Sequence, residues 1–290
     1  MYSANFDYHR ARSIAEAQLL LSSMPGAKLL AGGHSLIPLL KLRLAAPAAV
    51  IDIGRVSELR GIAVTSEGLR IGALTTHAEL AASGDVQRSA RALAEAASMV
   101  GDPAVRNRGT IGGNIAHADP ASDLPTVLVA LGAHIVAVGP RGERTIEAGQ
   151  FFTGIMSTAL GDDEILSTIV VPAVPGQGSA YVKFAHPASR YAVVGAAAAI
   201  TLKAGVCSAV AAALGGLLPH AKRLASVERA LTGQAPSDAN VTAAADEWIA
   251  VDLGTEITGD LYASAEYRAA VAPVYVRRAL AAAAARASQS

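Results

Sequence analysis

The chain has 290 residues, 52% of them hydrophobic, with 24 Lys+Arg set against 24 Asp+Glu and a formal net charge of +0. That length corresponds to about two domains, and the apolar content argues against disorder. Zero net charge argues against nucleic-acid binding through a broad basic field, and 4% aromatic residues argue against base stacking as a main binding mode. The single cysteine, Cys207, can form no internal disulfide, iron–sulfur site or cysteine zinc site by itself, which fits a reducing compartment.

Residues 1–12 carry Asp7, His9, Arg10 and Arg12 and no apolar run of the export type. The longest apolar stretch, Tyr191 to Leu202, is shorter than the ~20 residues of a spanning helix. We expect a cytoplasmic protein, with peripheral membrane association only through partners.

Ser13 and Glu16 have capping-box spacing ahead of an apolar run that stops at Met24-Pro25-Gly26. Lys28 to Ala31 reads as a strand, Leu36 to Leu44 as a helix and Ala49 to Ile53 as a strand. Leu69 to Leu74 is a further strand. Thr76 and Glu79 repeat the capping spacing, and Ala90 to Val100 is rich in helix formers. Gly101 to Asp123 reads as one long irregular loop, ordered and functional because Val105, Ile111 and Ile115 punctuate its Gly, Asn, Asp and Pro. A helix over Leu124 to Leu131 and strands over Ala133 to Val138 and Glu164 to Val171 follow. Pro172 to Gly178 is the linker candidate. Beyond it come strands over Ala180 to Phe184, Ala192 to Leu202 and Val206 to Leu214. Helices follow over Ser226 to Leu231, Ala239 to Ala250 and Ala263 to Ala287. The expectation is an α+β protein divided at 1–57, 58–175 and 176–290.

Two glycine pairs are the candidates for chemistry. Ala31-Gly32-Gly33-His34-Ser35 joins a strand to the helical run at Leu36, and Thr110-Ile111-Gly112-Gly113-Asn114 lies in the long loop. Glycine allows positive φ and close ligand approach, and successive amides in such turns converge on anions. Either turn alone is common; the pair suits the two phosphates of a dinucleotide. In the first turn the His34 amide matters more than its ring. His117 and Asp119 read as loop-ordering residues. Asp123 is read either as an acceptor for ligand hydroxyls or as a helix N-cap. Lys183, Arg190 and Tyr191 flank a strand pair, and Tyr191 is the candidate to cover a planar ligand. The chain has no G-x-G-x-x-G, P-loop, H-E-x-x-H or G-x-S-x-G pattern. With no nucleophile–base pair or metal set in view, the chemistry is assigned to a cofactor.

These motifs, with Leu36-Ile37-Pro38-Leu39-Leu40-Lys41, Ala118-Asp119-Pro120, Phe6-Asp7-Tyr8-His9-Arg10, Ala265-Glu266-Tyr267-Arg268 and Arg277-Arg278-Ala279, resemble the FAD-binding medium subunits of the molybdenum hydroxylases over essentially the whole chain. The nearest branch is that of aerobic carbon monoxide dehydrogenase. The resemblance implies a vanillyl-alcohol-oxidase-type FAD-binding domain in two subdomains, followed by an α+β carboxy-terminal domain. It implies that Ala31, Gly32, Gly33, His34, Ser35 and Leu36 wrap the pyrophosphate and that Thr110, Ile111, Gly112, Gly113 and Asn114 form a second phosphate-side loop. It further places Val100, Asp123, Leu166 and Lys183 against FAD and Tyr191 beside the isoalloxazine. The residues before that tyrosine, Ala188-Ser189-Arg190, depart from the carbon monoxide branch.

The partners implied are a small subunit with two [2Fe–2S] clusters and a large subunit with a molybdopterin cofactor, arranged as a dimer of heterotrimers. The implied role is electron transfer from the clusters through FAD to a quinone or another acceptor. An aldehyde, purine or N-heteroaromatic hydroxylase, and a flavin-free assembly scaffold, are the alternatives.

Overall fold

The computed structural model describes residues 2–289. Met1 and Ser290, the ends of the first and last expected divisions, lie outside the described residues.

Three main sheets follow one another along the chain. The first is parallel and three-stranded, with Ala49–Asp52 between Asp7–Arg10 and Lys28–Leu30. Helix Ile14–Ser23 connects its outer strands, and Ala17 and Leu21 bury one face of that helix. Ser13 caps the helix by accepting from the Glu16 amide, but the Glu16 carboxylate takes the Arg12 amide rather than the Ser13 amide, so the expected box is half formed. Asp7–Arg10 is polar and mostly exposed, which hid it from a reading based on apolar alternation.

The second sheet is antiparallel, with Ile165–Pro172 at its centre between Gly68–Gly72 and His134–Gly139, and with Ile62–Thr65 and Gly142–Glu147 at its edges. Helices Arg91–Met99 and Asp123–Ala130 pack into its core. Thr76 and Glu79 form the complete capping box of helix His77–Ala82. The expected long loop instead contains two short helices, Pro103–Arg106 capped by Asp102 and Ile111–His117 capped by Thr110. Two short helices rich in Gly and Pro carry no 3.6-residue apolar period, so their caps were the only legible signal.

The third sheet is antiparallel, in the order Gln177–Ala185, Ala192–Lys203, Val206–Gly215, Lys222–Arg223. Along Ala192–Lys203, Ala197 and Ala199 join the core of the second sheet, while Ala196, Ala198 and Ile200 face helices Asp238–Leu253 and Ala265–Ala287. Burial on both faces explains why this stretch is continuously apolar without being a membrane segment. No helix among the described residues is long and apolar enough to cross a membrane. The linker candidate is a short turn: Pro172 ends one strand and Gln177 begins the next. Arg268 is buried and donates to the carbonyls of Val193, Gly216 and Ala263 and to Asp260, tying the start of the last helix to the sheet.

Candidate functional site

The five successive amides of Gly32, Gly33, His34, Ser35 and Leu36 have no hydrogen-bond partner among the described residues. They link strand Lys28–Leu30 to helix Leu36–Lys41. Gly33 has φ +79°, a left-handed conformation that turns the run back on itself. Gly32 is glycine for a different reason: a Cβ there would collide with the Arg108 carbonyl. None of the five residues is buried, and unpaired amides of this kind bond water that an anion can displace.

The second glycine pair is built differently from the expectation. Gly112 and Gly113 lie in the first turn of helix Ile111–His117 and neither has positive φ. Its leading amides are already bonded: Ile111 to the Thr75 carbonyl, Gly112 to the Ala73 carbonyl, Gly113 to Thr110 Oγ1 and Asn114 to the Thr110 carbonyl. This helix start is therefore not a second open nest. Its glycines allow close approach: a Cβ on Gly112 would stand 2.5 Å from that of Ala73, and one on Gly113 2.9 Å from Thr110 Oγ1 and 3.6 Å from the Ala31 Cβ. Gly113 thus sets the two glycine segments face to face.

A cleft of about 790 Å3 opens between these segments, the central strand of the second sheet and the turn before Ala192. Of the expected residues, Ile111 and Lys183 are absent from its lining. Ile111 is fully buried in the core. Lys183 sits behind the wall, where its ammonium donates to the Met99 carbonyl (3.0 Å), to Asp123 Oδ2 (2.9 Å) and to the Arg190 carbonyl (2.7 Å). Asp123 is the first residue of its helix, not the cap, which is Ser122. Tyr181 Oη donates to Asp123 Oδ1 at 2.6 Å, so both carboxylate oxygens already have protein donors. Burial pushes the Asp123 carboxyl up, opposed by the Lys183 charge and the Tyr181 hydroxyl. Burial beside Asp123 holds the Tyr181 hydroxyl in its protonated, donating form.

The remaining walls are pinned by Arg106, which sequence reasoning missed, together with Lys183. Arg106 donates to the carbonyls of Val100 and Gly101, while Lys183 holds Met99, so three successive carbonyls are fixed beside the cleft. Leu166 precedes a register shift in its strand, a bulge of the kind that re-aims side chains near sites. Asn114 accepts from the Ser122 hydroxyl (2.7 Å), and its Nδ2 has no partner among the described residues. Arg190 and Met156, both lining residues, adopt positive φ of +62° and +52°. Non-glycine residues take that region rarely, and such strain gathers at functional sites. Tyr191 is half exposed at the rim, its hydroxyl pushed up by burial and then by Asp119 and Asp123. Asp119 accepts from the Ala121 amide, the loop-ordering role expected of it. Glu164 lines the cleft but is bound by Arg144 at 2.6 Å.

This arrangement offers unpaired amides for an anion, an apolar and glycine-lined trough, and a tyrosine at the rim. Among the described residues, no group of three His, Cys, Asp or Glu is placed to hold a metal. The cleft falls within the ~300–1,000 Å3 range of cofactor sites.

Residues 4–174 match the family model described as the FAD binding domain in molybdopterin dehydrogenase, and residues 179–283 match that of the CO dehydrogenase flavoprotein C-terminal domain. The chain is 43% identical over 288 residues to the carbon monoxide dehydrogenase medium chain of Hydrogenophaga pseudoflava, covering 99% of each. It is 37% identical to subunit alpha of the 6-hydroxypseudooxynicotine dehydrogenase complex of Paenarthrobacter nicotinovorans, covering 97% of this chain and 95% of that one. A solved carbon monoxide dehydrogenase from Hydrogenophaga pseudoflava, lacking the Mo-pyranopterin moiety, superposes with a TM-score of 0.93 at 44% identity over 99% of both chains.

Proposed function

Because the chain belongs to the FAD-binding medium subunits of the molybdenum hydroxylases, we propose that it holds FAD in the cleft and relays electrons between partner subunits and an external acceptor. The observation that carries this reading is the run of five unpaired amides from Gly32 to Leu36 facing a cleft of about 790 Å3. The fit is one of shape and donors. Gly32, Gly112 and Gly113 stand where a Cβ would press on Arg108, Ala73 and Thr110, so they let the segments that frame the trough pack closely, and the nest supplies donors suited to a diphosphate.

When bound, FAD supplies a redox carrier able to link one-electron and two-electron partners. The chain's own residues bind and orient it. The amides of Gly32 to Leu36 take the diphosphate. Asn114 Nδ2 offers a further donor. Leu166 and Val100 exclude water from the trough, and Tyr191 covers the ring at the rim. Lys183 acts behind this surface, paired with Asp123, and holds Met99 and Arg190 beside Val100 and Tyr191. Ile111 serves the core.

The partners proposed are an iron–sulfur small subunit with two [2Fe–2S] clusters and a large subunit with molybdopterin, in a dimer of heterotrimers. Electrons pass from the clusters through this chain to a quinone or another acceptor, in the cytoplasm. Carbon monoxide is the proposed substrate of the complex, supported by 43% identity over 99% of a carbon monoxide dehydrogenase medium chain. The proposed divisions at 57/58 and 175/176 are supported by the three successive sheets.

The test is purification of the native complex, release of its flavin by denaturation, and anaerobic exposure to carbon monoxide. We expect one FAD per chain and bleaching of flavin absorbance on adding carbon monoxide. Bleaching only by an aldehyde, purine or N-heteroaromatic compound would overturn the substrate. A colourless chain that takes up no added FAD would overturn the cofactor reading and favour a scaffold.

A further inference from the structure

His77 has none of the roles described above. It opens helix His77–Ala82, and its backbone amide donates to the Gly109 carbonyl at 3.0 Å. The residue is 2% exposed and lines the cleft. Its Nδ1 is sealed without a partner, and Nε2 has none among the described residues. Gly109 makes room for the ring: a Cβ at that position would stand 2.8 Å from His77 Cδ2 and 3.0 Å from Nε2. The same glycine abuts the nest, because a Cβ on Gly32 would stand 3.0 Å from Gly109 Cα. Gly109 therefore borders both the imidazole and Gly32, the residue that carries the first of the five unpaired amides.

A buried polar ring with no partner calls for an explanation, since an apolar ring would fill the space without losing its hydrogen bonds to water. The titratable groups that reach it are His34, from the nest turn, and Arg106, from helix Pro103–Arg106. On its own helix, Glu79 is turned back onto Thr76, accepting from the Thr76 amide and hydroxyl. Among the described residues, helices Gly84–Ser89 and Arg91–Met99 bring no charge to bear on the ring. Burial, then His34 and Arg106, hold the imidazole down to about 4, so it is neutral near pH 7. The corner has donors and positive charge but no anion.

We propose that His77 is an anion ligand of this cleft, taking one proton from solvent and bonding a diphosphate as it seats on the adjacent nest. The proposal rests on the cofactor reading above for the identity of the diphosphate. Retention of the cofactor is then proton-linked, because a dianion beside the ring favours its charged form. Each unit by which the bound diphosphate raises the imidazole strengthens binding about tenfold at low pH.

The test uses the full chain stripped of flavin, titrated at pH 5.5 to 8 with FAD, riboflavin and inorganic pyrophosphate. Flavin fluorescence gives affinity, and calorimetry in buffers of different ionisation enthalpy gives protons taken up. FAD and pyrophosphate should bind with proton uptake, FAD at least tenfold more tightly at pH 5.5 than at 8, and riboflavin with neither effect. His77→Gln and His77→Asn should lose the uptake and the slope while still binding riboflavin. Equal proton uptake in wild type and variants overturns the proposal. If neither variant folds, the wild-type His77 ring-proton resonance decides: movement with added pyrophosphate supports the proposal, and none overturns it. If FAD fails to bind but pyrophosphate still protonates His77, the cofactor reading falls and the anion ligand stands.

Discussion

Lys183→Met tests whether the cleft walls are held from behind. The substitution keeps the length of the side chain and removes an ammonium that is 3% exposed and donates to three oxygens. Asp123, 5% exposed, would keep only the Tyr181 hydroxyl, and the carbonyls of Met99 and Arg190 would lose their donor. Breaking a buried ion pair from one side costs about 3–5 kcal/mol, a fall of roughly 1–2 M in urea midpoint at ordinary slopes. The loss should depend on pH. The Asp123 carboxyl is already raised in the fold by burial, and removing the ammonium raises it further. A folded-state pKa above the unfolded value of about 3.9 means that stability falls as pH rises from there to the folded value, and is level beyond. The variant should therefore show a smaller deficit near pH 4, where only the lost bonds to the two carbonyls remain, than at pH 7, and adding Asp123→Asn should restore part of it. Urea melts of the full chain at pH 4.5 and 7, followed by tryptophan emission and far-UV dichroism, check this. A variant within about 0.5 kcal/mol of wild type at pH 7, the scatter of neutral surface changes, would refute the reasoning. An equal deficit at both pH values would remove its electrostatic part.

Gly113→Val should abolish flavin retention by sterics alone, since the position is helical and its Cβ would already press on Thr110 Oγ1 before the branches meet Ala31; flavin released per chain measures this, and unchanged flavin content would contradict the facing of the two segments. Glu164 is held down to about 2, first by its hydrogen bonds from Arg144. A depressed carboxyl contributes stability above about pH 4.5 and loses it as pH falls towards 2. Melting temperature should therefore fall less steeply over that window in Glu164→Gln than in wild type.

Much of the architecture was legible in residue patterns. Apolar alternation and turn chemistry marked the three inner strands of the second sheet and the three long strands of the third, because a half-buried or doubly buried strand must repeat every second residue or be apolar throughout; the edge strands Ile62–Thr65, Gly142–Glu147 and Lys222–Arg223 were not marked. The edge strand Asp7–Arg10 was not legible, since its side chains face solvent and its pairing is through the backbone. The two short helices in 101–123 were masked by glycines whose reason lies in other segments: Ala73 against Gly112, and His77 against Gly109.

The site divides in the same way. Chain order alone determined that a strand runs through Gly32-Gly33 into a helix, a junction whose amides have no partner within the helix itself. The tertiary structure decided that the second glycine pair is closed, because its amides meet carbonyls from residues 73 and 75 that only folding brings near. It likewise decided that Lys183 braces rather than lines the cleft and that His77 reaches it. Hydrogen-bond partners and burial depend on which distant segments pack together, and the side chains of a linear sequence do not carry that information individually.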